Sequence, residues 1–414
     1  MSEIKKQFRY VSVCCVALLL MFDGCVMFRK RPMAETPLVQ LSAAQYPSLI
    51  DTADRVMLLD SAKQNLAYLQ KAMADGKTPF YEVGGRQVPL AEMEKSVKHF
   101  IELCENEKSP EDLAAAIKRD FDIFRSVGSD GKGKVIFSSY YEPVLEASHR
   151  RTGKYQFPLY KRPSDLIDVR LSDFNAQCKE EKIAGMVQGE RLVPYHDRKK
   201  IDIKHVLSGR GLEIAWLKSR LEVMDLHIEG SGRLRFTDGT EGRAHYAGTN
   251  GLQFTGPISH MINIGAIPKD DMSQEKAAEY LNEHPELEAE LLSVNKRYTF
   301  FELLPVLPHD KGPVGTIGFN LTAERSVAVD PQYVPLGSIA FIEMNKKPDI
   351  SSADKLTGFK KESRFVLCQD TGGAIKGAGR VDYFAGTGHR AKKVASNTWS
   401  EGKLYILLAK PSVN

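Results

Sequence analysis

The chain has 414 residues, of which 42% are hydrophobic and 27% charged. This composition is typical of a globular protein with two domains, or with one domain that carries a large insertion, and it excludes disordered, collagenous and coiled-coil chains. The 57 lysines and arginines nearly balance the 53 aspartates and glutamates, which leaves a net charge of +4. No nucleic-acid partner is therefore expected.

Cysteine usage argues against a disulfide framework and against a metal site. Three of the six cysteines lie in the first 25 residues, and the other three, Cys104, Cys178 and Cys368, are dispersed along the body. No CxxC or HExxH motif occurs, and these three cysteines do not lie near histidines at zinc-ligand spacing. We predict no metal and no other cofactor.

Residues 1–25 have the pattern of an export signal. A basic segment at residues 5–9 precedes an apolar run at residues 11–22, which is shorter than the roughly 20 residues of a membrane span. Gly24 and Cys25 fit a bacterial lipoprotein box, although the two residues before Gly24 do not. We predict a periplasmic lipoprotein, anchored in the outer membrane through Cys25 only; an ordinary signal peptide with an incidental cysteine is the alternative.

The first part of the body is predicted to be helical. Apolar residues recur at three- and four-residue spacing over residues 53–72 and 90–103. Ser109 and the proline after it begin a third helix, whose apolar face we extend to Phe121 and Phe124. Three more helical stretches are predicted at residues 198–206, 211–223 and 273–292.

Short β-branched and aromatic runs separated by turns begin at residue 135 and make up nearly all of the C-terminal third. The runs of that third lie at residues 300–307, 315–321, 326–329, 338–344, 364–368 and 404–408. Such spacing is typical of a small closed barrel. We therefore predict a mainly β fold with N-terminal helices.

Three aspartates lie among glycines and aromatic residues, a setting that suits a polar cleft. Asp330 precedes two prolines, Asp370 ends an apolar strand before paired glycines, and Asp382 lies between a valine and two aromatic residues. Each aspartate alone is readily explained as a turn cap. In this order and context, the three resemble the three-aspartate (3D) domain.

The resemblance extends upstream, and residues 45–410 are similar to the membrane-bound lytic murein transglycosylase A family. The motifs that carry it stand in the family's order: SYYEPVL at 139–145, FPLY at 157–160, LVPYHDR at 192–198, EGSGRL at 229–234, YAGTNG at 246–251, YTFFE at 298–302 and GPVG at 312–315. Two positions depart from the family pattern, since Ser139 replaces a glycine and Glu229 replaces a glutamine.

The resemblance implies a double-psi β-barrel domain, a second β-barrel-like domain inserted into it, and a substrate groove between the two. The expected division places the signal peptide at residues 1–25, the helical N-terminal part of the barrel domain at 41–139, the inserted substrate-binding domain at 140–298, and the C-terminal part with the 3D domain at 299–414.

The resemblance also implies a lyase that cleaves the β-1,4 bond between N-acetylmuramic acid and N-acetylglucosamine in peptidoglycan, leaves 1,6-anhydromuramic ends, and serves cell-wall remodelling and turnover. The family implies an exotransglycosylase, although the residues leave action at chain ends or within strands open. The expected partners are glycan strands, with cell-wall synthases and other envelope proteins as further partners.

By resemblance, Asp382 is the catalytic residue, a general acid that later acts as a base, and Asp370 supports it. Asp330 is expected to be mainly architectural, and Thr371 and Lys376 are expected to contact the glycan or the developing charge.

In the inserted domain, the predicted glycan contacts are Tyr141, Glu229, Ser231, Arg233 and Tyr246, because rings stack on sugars and arginine pairs with carboxylates. A core tyrosine or a salt-bridged arginine is the alternative at these positions. An acid at position 229 adds negative charge beside an anionic polymer.

Two rival functions are compatible with the residues. An inverting β-glucan hydrolase on a similar barrel would leave reducing ends instead of anhydro ends. A non-catalytic glycan-binding lipoprotein is the other alternative, and the intact contexts of Asp370 and Asp382 argue against it.

Overall fold

The structure is a computed structural model that describes residues 36–76, 80–175, 177–178, 182–268, 274–306, 311–350 and 355–411. The chain from Pro37 onward forms one compact unit. The predicted signal peptide and Cys25 lie outside the described residues. Within them, no helix is both long and apolar enough to cross a membrane.

The helices lie mostly in the N-terminal and middle parts of the chain. They are α1 (Arg55–Ala74), α2 (Leu90–Asn106), α3 (Pro110–Asp120), α4 (Arg220–Glu229), α5 (Pro257–Asn263), α6 (Gln274–Glu283), α7 (Glu288–Ser293) and α8 (Gly388–Asn397). Short helical turns occur at Ala43–Gln45, Leu171–Asp173 and Lys199–Ile203.

Strands make up most of the remaining regular structure. Those before the middle of the chain are β1 (Leu38–Gln40), β2 (Phe80–Val83), β3 (Arg86–Pro89), β4 (Phe121–Ser126), β5 (Val135–Glu142), β6 (Val144–Ala147), β7 (Phe157–Tyr160), β8 (Ile167–Arg170), β9 (Lys182–Gln188) and β10 (Arg191–Pro194). The later ones are β11 (Glu213–Leu217), β12 (Ser231–Phe236), β13 (Glu241–Thr249), β14 (Thr299–Pro305), β15 (Ser326–Ala328), β16 (Ile339–Ile350), β17 (Leu356–Asp370), β18 (Arg380–Thr387) and β19 (Trp399–Ala409).

Six of the described strands close into a barrel. They follow one another in the order β19, β16, β17, β15, β18 and β5, and β5 pairs back onto the first half of β19. The pairs β15 with β17 and β18 with β5 are parallel, whereas the other four pairs are antiparallel. The predicted mainly β fold with a closed barrel is confirmed.

A second sheet follows directly from the barrel strand β5. After Pro143 the chain enters β6, which pairs in parallel with β12 in a sheet of order β14, β13, β12 and β6. β14 pairs with β13 along its whole length. Residues 299–305, which the predicted division assigns to the barrel, therefore lie in the inserted sheet, and we place the end of the insertion after Pro305.

Three local predictions are wrong, and in the first two strand pairing overrides the local pattern. The third helix ends before Phe121, and Phe121 and Phe124 are buried instead in β4, which pairs with β19. Residues 213–217 of the predicted helix 211–223 form β11, which pairs with β7. Residues 315–321 form a loop rather than a barrel strand.

A buried polar cluster fastens helix α1 to the barrel. The side chain of Gln369 is fully buried, and its Nε2 donates to the Ser61 carbonyl and to Asn65 Oδ1, both at 2.9 Å. Gln369 Oε1 accepts hydrogen bonds from the hydroxyls of Ser61 and Ser326. Because Gln369 directly precedes Asp370, these bonds fix the end of β17 where Asp370 leaves the barrel wall.

A buried ion pair holds the segment before α1 against the barrel. Arg325 Nη1 lies 2.5 Å from Asp51 Oδ2, and the backbone N–H of Phe365 donates to the same oxygen at 2.9 Å. Arg325 and Asp51 are 1% and 8% exposed. Neither charge has access to bulk water, so each depends on the other.

Replacing Arg325 by methionine leaves the Asp51 carboxyl buried without its cation. We expect the free energy of unfolding to fall by about 3–5 kcal/mol, measured by urea denaturation. The matched control is Lys63→Met, which breaks the exposed Lys63–Glu105 ion pair and is expected to change stability by at most about 1 kcal/mol. Equal effects of the two substitutions would contradict the importance of the buried pair.

Candidate active site

Neighbouring barrel strands bring two of the predicted aspartates together. Ala328 of β15 pairs with Asp370 of β17 on one side and with Asp382 of β18 on the other. Asp382 in turn pairs with Ser138 of β5. Adjacent strands lie about 4.8 Å apart, so the two aspartates are separated by roughly two strand spacings. The pairing pattern thus creates one acidic site from segments that are far apart in sequence.

The Asp382 side chain points away from the barrel core. Its neighbours Val381 and Tyr383 are 0% and 1% exposed and lie in the core, and successive residues of a strand face opposite sides. Phe384 shares the outer side with Asp382, and its ring centre lies 5.3 Å from that of Tyr140. Asp382 keeps part of its surface accessible, so a substrate can reach it.

Two side chains determine the electrostatic surroundings of Asp382. Ser138 Oγ donates to Asp382 Oδ1, and Arg380 Nη2 donates to Ser138 Oγ at 2.8 Å. Burial raises the pKa of Asp382 to about 6, although the Ser138 hydrogen bond and the Arg380 charge lower it and the Asp370 charge raises it further. A carboxyl with this pKa both gives and takes protons near neutral pH.

The Asp370 carboxyl accepts hydrogen bonds on both oxygens. The backbone N–H and the hydroxyl of Thr316 donate to Oδ1 at 2.9 and 2.8 Å, and the Tyr140 hydroxyl donates to Oδ2 at 2.9 Å. Burial raises the pKa of Asp370, and the hydrogen bonds from Thr316 lower it. Three donors hold this carboxyl in one orientation, which suits a positioning residue better than a proton carrier. Thr371 reaches the site indirectly, with its hydroxyl oxygen 2.8 Å from that of Thr316.

Asp330 has the contacts of a turn cap. It is 3% exposed, and its carboxyl accepts the backbone N–H groups of Gly377 at 2.7 Å and of Gln332 at 3.2 Å. These contacts fit the architectural role expected from the sequence. Lys376 lies next to this turn with an exposed side chain.

Tyr141 occupies a different position from the one predicted. It is 3% exposed, its hydroxyl donates to Asp225 Oδ2 at 2.6 Å, and its backbone N–H donates to Glu229 Oε2 at 3.0 Å. A buried ring cannot stack on a sugar, so we correct the predicted stacking role: Tyr141 joins helix α4 to strand β5. Glu229, at the end of α4, remains partly exposed.

The other predicted contacts of the inserted domain differ in exposure. Ser231 is 7% exposed, whereas Tyr246 is 47% exposed and can stack on a ligand. Arg233 Nε lies 3.3 Å from Glu142 Oε2, and Arg243 Nε lies 2.7 Å from Oε1 of the same fully buried carboxylate. Arg233 therefore has a structural partner at the junction of barrel and insertion.

Sequence reasoning missed three residues that hold the aspartates. Ser138 directly precedes the SYYEPVL motif and Tyr140 lies within it, and their spacing of two places them on one face of β5. The alternation of side chains along a strand could therefore have predicted that these two residues share a face. Thr316 lies in the run mistaken for a strand, and nothing in the sequence connects it with Asp370.

Two family models match successive parts of the chain. The model described as "MltA specific insert domain" matches residues 136–302, and the model described as "3D domain" matches residues 325–408. The chain belongs to the MltA family. It is 28% identical to membrane-bound lytic murein transglycosylase A of Escherichia coli K12 over 293 residues, 70% of each chain, and 26% identical to that of Vibrio cholerae over 283 residues, 68% of this chain and 67% of the relative.

Solved structures of the MltA family share the fold. A membrane-bound lytic murein transglycosylase from Agrobacterium tumefaciens has a TM-score of 0.71 at 28% identity, with 90% of this chain and 97% of that chain covered. MltA from Neisseria gonorrhoeae has a TM-score of 0.66 at 26% identity, with 90% and 93% covered. Escherichia coli MltA with bound chitohexaose has a TM-score of 0.66 at 22% identity, with 91% and 95% covered.

Removing the Ser138 hydroxyl deletes a donor that favours the ionised form of Asp382. We expect Ser138→Ala to raise the pKa of Asp382, because that hydrogen bond lowers it, and to move the alkaline limb of the kcat–pH profile to higher pH. Ser139→Ala is the matched control, since Ser139 donates to the Tyr383 carbonyl instead. An equal shift in both variants would contradict the assignment of the titrating group.

Neutralising Asp370 acts in the opposite direction. The Asp370 charge raises the pKa of Asp382, so Asp370→Asn is expected to lower it and to move the same limb to lower pH. The rate should also fall, because an amide accepts on one oxygen and leaves either Thr316 or Tyr140 without its partner. The measurement is kcat against pH on purified sacculi; a limb that moves to higher pH would refute the electrostatic coupling.

Proposed function

We propose that this member of the MltA family is a peptidoglycan lytic transglycosylase in which Asp382 performs both proton transfers. The single observation that carries the assignment is the accessible Asp382 carboxyl, in the 3D-domain part of the barrel, whose pKa burial raises to about 6. Curated relatives at 26–28% identity are named lytic murein transglycosylases.

The first step breaks the β-1,4 bond between N-acetylmuramic acid and N-acetylglucosamine. Protonated Asp382 donates its proton to the bridging oxygen, which leaves with the N-acetylglucosamine unit as a hydroxyl, while positive charge develops at C1 of the muramic unit. The carboxylate formed on Asp382 lies near the Arg380 guanidinium and keeps the hydrogen bond from Ser138. Both interactions stabilise the ionised form at the moment when it appears.

The second step closes the 1,6-anhydro ring. The C6 hydroxyl of the same muramic unit attacks C1, and Asp382 takes the proton that this hydroxyl loses, so the carboxyl returns to its starting state. The nucleophile is already attached to the sugar, and such proximity contributes up to about 7–11 kcal/mol in an ideally aligned case. One carboxyl is therefore sufficient, whereas a hydrolase needs a second one to activate water.

Asp370 positions the site without exchanging protons. Its carboxyl orients the Tyr140 hydroxyl, and the Tyr140 ring packs against Phe384 beside Asp382. The resulting outer face of the barrel presents aromatic and acidic groups toward the inserted domain. We place the glycan strand there, with the exposed ring of Tyr246 as a stacking surface.

The chain acts at the cell envelope, as its membrane-bound relatives indicate. We place it on the periplasmic side of the outer membrane, anchored through Cys25. Glycan strands are its substrate, while cell-wall synthases and other envelope proteins stay predicted partners.

The decisive experiment is mass spectrometry of products that are released from purified sacculi in water labelled with a heavy oxygen isotope. We expect muropeptides that are lighter by one water than hydrolysis products and that contain no solvent oxygen. Asp382→Asn should slow their release by about 10²–10⁴-fold, the usual contribution of a general acid–base group. Asp349→Asn, which removes an exposed carboxyl of β16, is the matched control. Reducing ends that carry solvent oxygen would instead support the β-glucan-type hydrolase.

A further inference from the structure

Glu229 is an acid at a position where the MltA family pattern has glutamine, and its surroundings disfavour a negative charge. It is the last residue of α4, where the helix dipole disfavours anions. Asp225 lies one turn earlier on the same helix, and its carboxyl accepts the Tyr141 hydroxyl. The two acids of α4 thus bind opposite ends of one buried tyrosine.

Groups of three other elements act on Glu229 or respond to it, and one of them is a further acid. The Asp382 charge of β18 raises the pKa of Glu229 and the Lys392 charge of α8 lowers it, while the Glu229 charge in turn raises the pKa of the Tyr140 hydroxyl of β5. Burial, followed by the Asp225 charge, raises the pKa of Glu229 well above its usual value, and Lys392 lowers it only in part. These surroundings, together with the C-terminal end of α4, favour the un-ionised acid.

The hydrogen bonds of Glu229 involve only one of its two carboxyl oxygens among the described residues. Oε2 accepts the Tyr141 backbone N–H at 3.0 Å, and among the described residues Oε1 has no hydrogen-bond partner. A glutamine amide and a neutral carboxyl each combine an acceptor oxygen with a donor, whereas a carboxylate only accepts. Since the acceptor is occupied by Tyr141, what a neutral acid shares with the family's amide is the free donor.

We propose that Glu229 is a glycan-binding residue that works as an un-ionised carboxylic acid, donating a hydrogen bond from Oε1 to an acceptor-only oxygen of the sugar, such as an acetamido carbonyl. This deepens the proposed function and depends on it. The neutral acid supplies a donor, as an amide would, and it adds no charge beside Asp382 or the anionic polymer. Glycan binding then becomes pH-dependent at this position, which an amide would not allow.

The test measures binding of chitohexaose, a neutral N-acetylglucosamine oligomer, by calorimetry from about pH 5 to about pH 9. Asp382→Asn is present in every variant, so neither turnover nor titration of Asp382 contributes. With Glu229 intact, we expect Kd to rise about tenfold as the pH passes the pKa of Glu229, because a hydrogen-bond donor is lost. With Glu229→Gln added, Kd should not change with pH. Adding Asp225→Asn instead should move the transition to lower pH, because a neighbouring charge is removed.

Infrared spectroscopy provides a readout that a purely structural role would not affect. The difference spectrum between Asp382→Asn and Asp382→Asn/Glu229→Gln at neutral pH should contain the carbonyl band of a protonated carboxyl. Absence of this band, or a pH-independent Kd with Glu229 intact, overturns the role of Glu229 and leaves the transglycosylase assignment standing. Absence of chitohexaose binding in every variant at every pH would contradict the glycan site itself, and the role of Glu229 with it.

Discussion

The active site depends on the parallel pairing of β5 with β18. This pairing sets Asp382 opposite Ser138, encloses the carboxyl enough to raise its pKa, and places it at the point where the chain leaves the barrel for the inserted domain. A parallel pair cannot be closed by a tight turn, and here the strands are separated by the whole insertion. The pairing that partly encloses Asp382, the residue that we propose as the proton carrier, thus also brings the second domain beside it.

Buried polar contacts keep this junction in register. Glu142, the last residue of β5, is fully buried and accepts hydrogen bonds from Arg243 of β13 and from Thr387 at the end of β18. On the other side of the site, Gln369 ties β17 to helix α1. Apolar packing alone would tolerate small sliding of these strands, whereas hydrogen bonds between buried polar groups favour one register, because any shift leaves a partner unsatisfied.

The sequence was most informative where a prediction depends on the residues of a single strand or motif. The context of Asp382, between a core valine and aromatic residues, indicated the carboxyl that we propose as the proton carrier, and the runs around β15, β16, β17 and β19 predicted a barrel. Strand parity could also have separated the two tyrosines of the YYEP motif. Val135, Phe137 and Tyr141 have the same parity and are all buried, whereas Tyr140 lies on the other side of β5.

What could not be predicted depends on residues that meet only through long-range pairing. Ser138 and Asp382 are far apart in the chain, and no local pattern predicts the register in which β5 and β18 pair. Thr316 lies in an apolar run that reads as a strand, yet Gly315 and Ile317 form a loop whose backbone bonds reach the Phe319 and Gln369 carbonyls. Local propensity cannot detect such contacts, because their free energy comes from the partner strand.

The remaining feature to explain is the crowding of three carboxyls in a site that binds an anionic polymer. If Asp370, Asp382 and Glu229 were all ionised, their mutual repulsion would oppose both folding of the junction and binding of the substrate. Burial raises the pKa of all three carboxyls, which opposes full ionisation of the site, whereas the hydrogen bonds from Thr316 and Tyr140 favour the ionised form of Asp370. The guanidinium carbon of Arg380 lies 4.9 Å from the centre of the Trp399 ring. Arg380 is a cation near Asp382 and offsets the negative charge that Asp382 acquires when it ionises. Partial burial thus raises the pKa of Asp382 toward the range that proton transfer requires, while its carboxyl stays accessible to a substrate.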